Sequence, residues 1–402
     1  MRGFAPALAL ATLGLAAWSA GSAQAEITSD KVRIGVMTDL SGIYESGAGH
    51  GSVEAVKMAV EEFGGKVNGK PIEVIAGDHQ NKPDVGVSLA NRWYDVDKVD
   101  VITELVNSAV AFAVLDVTKQ KNKMVMLTGA GSADFTGKAC APNNSVHWVY
   151  DTYQLSASIA AAVPRLGKKW FFISADYAFG AALEAGLRPA LTKAGVNIVG
   201  AVKHPLGNTD FSSFVLQAQG SGADVIALNN GGDDTINALK SAREFGLKAK
   251  IVGFGLDSPL AVRAMGLEVG QGAYNVSAWV NRDDAETRAW IAKFMERRKV
   301  FPGSFQVGTY SAARSYLKAV EAANSTDPKL VIAKMRELPV RDVFTDDGFL
   351  RPDGRMVHSV ALTQIKTPAE SKSEWDMTKV VGRLAGPDVF RPIDQGGCPA
   401  LK

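Results

Sequence analysis

Short β-branched runs that alternate with longer stretches of helical periodicity constrain this chain more than any other feature. Lys31 to Val36 (KVRIGV) reads as a buried strand, Gly51 to Phe63 as an amphipathic helix and Pro71 to Ala76 (PIEVIA) as a second strand, with Pro83 opening another helix. Val99 to Thr103, Met124 to Leu127, Trp170 to Ile173, Val196 to Val202, Val225 to Leu228 and Ile251 to Gly253 continue the series. Such alternation is the signature of βαβ units, in which parallel strands form a sheet with helices on its faces. The repetition predicts an α/β chain with a doubly wound fold used at least twice. A helix-rich region runs from Asp283 to about Leu338, and a last strand candidate, Ser359 to Gln364, follows the turn-like Arg351-Pro352-Asp353-Gly354. The polar tail from Thr367 is expected to wrap the surface.

Turn and hydroxyl residues follow several of these strands, as in Asp39-Leu40-Ser41-Gly42, Val106-Asn107-Ser108, Thr128-Gly129-Ala130-Gly131-Ser132 and Asn229-Asn230-Gly231-Gly232-Asp233. Open α/β sheets bind ligands at this edge. Any one segment also reads as a plain N-cap or tight turn. Several converging point to a site, and helix N-termini there suit an anionic group such as a carboxylate.

At the N-terminus, Arg2, an apolar run from Phe4 to Ala20 and the A-x-A pattern Ala23-Gln24-Ala25 predict a cleaved export signal over residues 1–25. No Cys follows it, so a free periplasmic protein is expected; an uncleaved anchor helix is the alternative. The remaining length of about 377 residues exceeds what one hydrophobic core usually organises, so two domains are expected. A formal charge of +2, or +1 without Arg2, gives no reason to expect nucleic acid or an anionic membrane surface as partner. Cys140 and Cys398, an even pair in an exported chain, are expected to form a disulfide tethering the tail, with two free thiols as the alternative.

Catalytic chemistry is not legible. There is no G-x-S-x-G elbow and no H-E-x-x-H zinc helix, and the five histidines are scattered without ligand spacing. Gly131 to Ala139 (GSADFTGKA) fails as a phosphate loop, because its first Gly is misplaced and Ala139 replaces the magnesium-binding hydroxyl; Gly47-Ala48-Gly49 lacks the third Gly of a dinucleotide fingerprint. No catalytic residue, metal site or cofactor is expected.

These features together resemble the leucine-isoleucine-valine-binding proteins, the branched-chain-amino-acid branch of the type I periplasmic binding proteins. The likeness covers nearly the whole chain after the signal. It is carried by Ile34-Gly35-Val36 through Asp39-Leu40-Ser41-Gly42 with the helix Ser52 to Phe63, by Asp78-His79-Gln80-Asn81, by Asp176-Tyr177-Ala178-Phe179-Gly180, by Ala238 to Leu247 and by Tyr310-Ser311-Ala312-Ala313. It implies two Rossmann-like doubly wound lobes joined by a three-crossover hinge, with the ligand trapped as they close. Lobe 1 is then residues 26–148 plus 279–356, lobe 2 residues 149–278 plus 357–380, and residues 381–402 a C-terminal tail.

The resemblance also implies a site. A ligand carboxylate is expected at Ser108, with Asn107 before it, and at the loop of Ala130, Gly131 and Ser132, where helix N–H groups and hydroxyls supply donors without a cation. The ammonium end is reduced. Asp151 matches one acidic residue, but Gly255 stands where a second is usual, and Phe179 and Gly231 stand where tyrosines are usual; Asp257 is the candidate substitute. A buried ammonium needs paired charge or several acceptors. The expected ligand is therefore an amine-free carboxylate with a hydrophobic or aromatic body, walled by Tyr44, Tyr150, Phe179 and Phe254. Core packing is the alternative for each ring. The expected role is the substrate-binding component of an ABC importer, a monomer that docks on an inner-membrane permease and catalyses nothing. A branched-chain or other amino-acid ligand, a sensory receptor subunit and an exported enzyme on the same scaffold are the alternatives.

Overall fold

Met124–Leu127 shows why the strands form where they do. Four apolar residues in succession, all buried, are accommodated by a strand covered on both faces. The computed structural model describes residues 29–401 together with Met1, Gly3 and Ile27. The predicted export signal otherwise lies outside the described residues. Among the described residues, no helix is long and apolar enough to cross a membrane.

The first sheet contains β1 (Val32–Thr38), β2 (Lys66–Val67), β3 (Lys70–Asp78), β4 (Val101–Glu104), β5 (Met124–Leu127) and β6 (Ser145–His147), in the order β2-β3-β1-β4-β5-β6. Every pairing in it is parallel except β2 with β3. The second sheet takes β7 (Lys169–Ala175), β8 (Asn197–His204), β9 (Val225–Asn229), β10 (Lys250–Gly253) and β11 (Tyr274–Ser277), all parallel. After a small hairpin of β12 (Phe349–Leu350) and β13 (Met356–Val357), the strands β14 (Val360–Ile365) and β15 (Thr378–Leu384) add to its edge antiparallel, giving β15-β14-β11-β10-β9-β7-β8.

The helices are α1 (Gly49–Glu62), α2 (Pro83–Asp95), α3 (Ser108–Gln120), α4 (Thr152–Leu166), α5 (Ala178–Lys193), α6 (Ser212–Gly220), α7 (Asp233–Glu244), α8 (Pro259–Met265), α9 (Leu267–Gly270), α10 (Ala285–Arg298), α11 (Ser304–Ala323), α12 (Pro328–Glu337) and α13 (Gly386–Val389). One core packs α1, α10, α11 and α12 on the first sheet, and another packs α2 and α3 on its opposite face. The second sheet is likewise covered by α4 and α5 on one side and by α6, α7 and α8 on the other. Each sheet is thus doubly wound, as the alternating pattern predicts.

The chain passes between the sheets three times: from β6 to α4, from β11 to α10 and from β13 to β14. Arg355, fully buried, ties the first and third passages together. Its guanidinium donates to the carbonyls of Trp148 (2.7 Å), Tyr150 (2.9 Å) and Met356 (2.8 Å). Cys140 and Cys398 are joined in a disulfide, as expected. The tail corrects one expectation: instead of only wrapping the surface from Thr367, it supplies β15, which runs past residue 380 to Leu384.

Candidate functional site

In the first sheet β1 is followed by β3 on one side and β4 on the other, so the strand order reverses between β1 and β4; in the second sheet it reverses between β7 and β9. Helices leave these points in opposite directions, opening a crevice at the carboxyl ends of the strands. The two crevices face each other. Between them lies a cavity lined by residues of both lobes, the kind of place where small-ligand sites form.

The first-sheet lobe lines the cavity with Tyr44 after β1, Val106 after β4 and Phe305 at the start of α11, and Ala278 joins them from the passage after β11. From the second come Tyr177 and Phe179 after β7, Asn230 to Gly232 after β9, Phe254, Gly255 and Asp257 after β10, Leu155 on α4 and Val276 on β11. Tyr150, in the first passage, lies between them. The structure therefore brings Tyr44, Tyr150, Phe179, Gly231, Phe254, Gly255 and Asp257 of the expected site together around one cavity. It leaves Asn107, Ser108, Ala130, Gly131, Ser132 and Asp151 outside the lining.

Asp39 shapes the Tyr44 loop: its buried carboxylate accepts the N–H of Gly42 (2.7 Å) and of Tyr44 (3.0 Å) and the amide of Asn81 (2.7 Å). Tyr44 is then carried across the cleft, where its hydroxyl lies 2.5 Å from that of Tyr177. Burial, reinforced by Tyr177, raises the Tyr44 pKa well above the usual phenol value. Two more polar links cross the cleft: Asp233 donates its N–H to the Ile43 carbonyl (3.2 Å) and Ser258 its hydroxyl to the Ser46 carbonyl (3.2 Å). At Gly232, with φ +60°, a Cβ would stand 2.3 Å from the Ile43 oxygen. Only glycine fits that approach. Gly255 is a glycine for its backbone, φ +79°, rather than for room, since a Cβ there would meet nothing closer than 3.4 Å.

The expected carboxylate grip is assembled but turned inward. Ser108, at the first residue of α3, is fully buried, and its Oγ accepts the N–H groups of Gly131 and Ser132 at 3.3 Å each. Asn107 caps α3 by accepting from Ala109 (2.9 Å) and Val110 (3.3 Å), the Ala130 carbonyl lies 2.7 Å from His147 Nε2, and Ser132 Oγ accepts the Asp134 N–H (3.4 Å). The rings of Tyr150 and Phe179 close over this cluster: a Cβ on Gly131 would stand 2.6 Å from the first and 2.8 Å from the second.

Asp151 also departs from expectation. Its Oδ1 caps α4 by accepting the Gln154 N–H (2.8 Å), and its Oδ2 lies 3.6 Å from the buried Arg355 guanidinium. That carboxylate is matched within the protein and does not line the cavity. Asp257 does, and burial raises its carboxyl above the usual carboxylate range. Tyr177 and Phe305 were not singled out from the sequence. Tyr177 lies beside Phe179 in a recognisable segment, whereas Phe305 comes from a helix distant in sequence and carries no local signal.

Two doubly wound lobes, hinged by three passages and closed on a cavity between facing switch points, define a solute-binding clamp of the type I periplasmic architecture. Among the described residues no group of His, Cys, Asp and Glu is placed to hold a metal ion. The chain belongs to the periplasmic binding protein family, whose sequence profile matches residues 31–372. It is 27% identical over 328 residues to Leu/Ile/Val-binding protein homolog 6 of Brucella melitensis, covering 78% of this chain and 81% of that protein. Its fold is similar to the crystal structure of a periplasmic binding protein from Burkholderia mallei, with TM-score 0.89 and 42% identity over 93% of this chain and 100% of that one. An ABC transporter solute-binding protein from R. palustris, crystallised in complex with benzoate, shares the fold with TM-score 0.81 and 21% identity over 92% of this chain and 99% of that one.

Proposed function

We propose that this chain, exported to the periplasm by a signal cleaved near Ala25, captures a small solute for an ABC importer by closing residues 26–148 plus 279–356 on 149–278 plus 357–380, and delivers it as a monomer to an inner-membrane permease without chemical change. The solute has a compact apolar body and lacks the paired ammonium and carboxylate of an α-amino acid. One observation carries this reading: Tyr44, Tyr150, Tyr177, Phe179, Phe254 and Phe305 surround one cavity built from both lobes. A ligand touching both walls stabilises the closed form selectively, which is the condition for ligand-driven closure. Both ends of an amino-acid grip are meanwhile engaged within the protein, Ser108 with Gly131 and Ser132, and Asp151 with Arg355.

A second reading, an aromatic acid, is favoured by the donors of Ser108, Gly131 and Ser132 lying directly behind the Tyr150 and Phe179 rings, and by the benzoate complex of the R. palustris protein. Rotation of Tyr150 would expose those donors to a carboxylate.

Thermal shift against leucine, valine, benzoate, 4-hydroxybenzoate, benzylammonium and choline separates these outcomes, because a ligand of the native state adds about 2.7 kcal/mol at a hundred times its Kd. We expect no response to leucine or valine and a clear one to at least one compound without the zwitterionic head. Strong stabilisation by leucine alone would overturn the reading. A benzoate response that disappears in the double variant Ser108→Ala, Ser132→Ala would establish the aromatic acid.

A further inference from the structure

The cavity's polar side chains are Tyr44, Tyr150, Tyr177, Asn230 and Asp257. Four of them already have protein partners. The hydroxyls of Tyr44 and Tyr177 face each other at 2.5 Å, and Tyr150 donates to the Gly129 carbonyl (2.9 Å). The Asn230 amide lies between His204 Nε2 (3.1 Å) and the Thr235 hydroxyl (2.7 Å). Asp257, the fifth, has Ser304 as a partner, but a carboxylate keeps further acceptor sites for a ligand's polar group; among the described residues it is the one charged residue in the lining, with no Lys, Arg or His there.

The rings of the same lining pack into a belt. Tyr177 and Phe179 have centroids 6.2 Å apart, Phe179 and Tyr150 6.4 Å, and Tyr150 and Phe305 5.5 Å. Aromatic faces attract cations through the ring quadrupole, most strongly where water is excluded, and cages of this type recognise substituted ammonium groups. A carboxylate in the same space would meet Asp257 with no compensating cation.

We infer that the cavity takes an organic ammonium ion, its charge paired with Asp257 and its alkyl or aryl body held by the aromatic belt. This rests on the reading of the cavity as the solute site. The ion is an amine or quaternary ammonium without an α-carboxylate, because the carboxylate grip is covered by Tyr150 and Phe179.

Calorimetric titration of the full chain with choline and benzylammonium, against the uncharged choline isostere 3,3-dimethylbutan-1-ol and against benzoate, tests it. At least one cation should bind at least tenfold more tightly than the neutral isostere. Asp257→Asn should weaken the cation by about thirtyfold or more, as loss of one partner of a desolvated charge pair does, and leave the isostere unchanged. Phe305→Leu keeps an apolar wall without a π face and should weaken the cation more than the isostere. If benzoate or the isostere binds and neither cation does, the ammonium assignment is overturned and solute capture in this cavity stands. If none of the four binds, both readings fall.

Discussion

Glu104 is the residue whose environment departs furthest from what its side chain prefers. It ends β4 at φ +84°, followed by Leu105 at +59°, two left-handed non-glycine residues at the switch point itself. Such backbone is held only where the surroundings over-determine it. The side chain is fully buried, with Oε2 accepting the Val106 N–H (3.1 Å) and Oε1 without a partner, beside Thr38 and Asp39. Burial above all pushes its pKa up from 4.5 to about 8. Below pH 4.5 both folded and unfolded chains hold the proton, and the stabilisation is complete. Between pH 4.5 and 8 only the folded chain holds it, so stability falls as pH rises, by at most about 1.4 kcal/mol per unit, and levels off above 8. Glu104→Gln should remove that component: the stability of the native chain relative to the variant should decline from pH 5 to 8 in urea titrations, and parallel profiles would show that Glu104 is ionised throughout. Gly232→Ala probes the closed form in the same way. Its Cβ would strike the Ile43 oxygen and its φ is left-handed, so the fold should lose about 1–2 kcal/mol, while affinity for any ligand found in the panel falls more than tenfold because the lobes no longer meet.

At the scale of elements, one guanidinium joins two of the three passages between the lobes, with His358 Nε2 beside it 2.6 Å from the Val149 carbonyl. Arg355 satisfies carbonyls from two of the three passages, pairs with Asp151 and lies over the Phe390 ring at 4.4 Å. Removing one partner of a buried ion pair leaves the other uncompensated, so Arg355→Met should cost about 3–5 kcal/mol. The double variant with Asp151→Asn should recover part of that in chemical denaturation; equal losses would mean the pair itself contributes nothing. None of this was legible in the sequence, where Arg355 is one arginine in a turn-like segment. What was legible followed from pattern. Val225–Asn229 and Met124–Leu127 are buried along their length and announce themselves as apolar runs. Ser145–His147 is too short and polar to do so, and Thr378–Leu384 is a half-exposed edge strand interrupted by Gly382. In the cleft, residues directly after strands were readable from turn chemistry. Which rings point inward, and that Asp151 turns to Arg355 instead of the cavity, depends on packing between segments far apart in the chain.

For the whole molecule, the tail adds a fourth link between the lobes to the three hinge passages. From β15 in the second sheet it continues through α13 against α4; Phe390 then packs on Arg355 and His358, Arg391 donates to the Ala133 carbonyl (2.7 Å), and Cys398 is bonded to Cys140, beyond β5 of the first lobe. A covalent link that starts in one lobe and ends on the other limits how far the clamp opens, whereas the closed state already satisfies it. It also closes a loop with a sequence separation of 258 residues, so its loss should cost about 2–5 kcal/mol of stability. The double variant Cys140→Ser, Cys398→Ser separates these two effects. Without ligand, its radius of gyration by small-angle scattering should exceed that of the disulfide-bonded chain, because more open conformers become accessible. With saturating ligand the two proteins should scatter alike. Ligand affinity should fall in proportion to the smaller population of closable conformers, and a variant that is less stable yet no wider when empty would show that the disulfide anchors the tail without restraining the hinge.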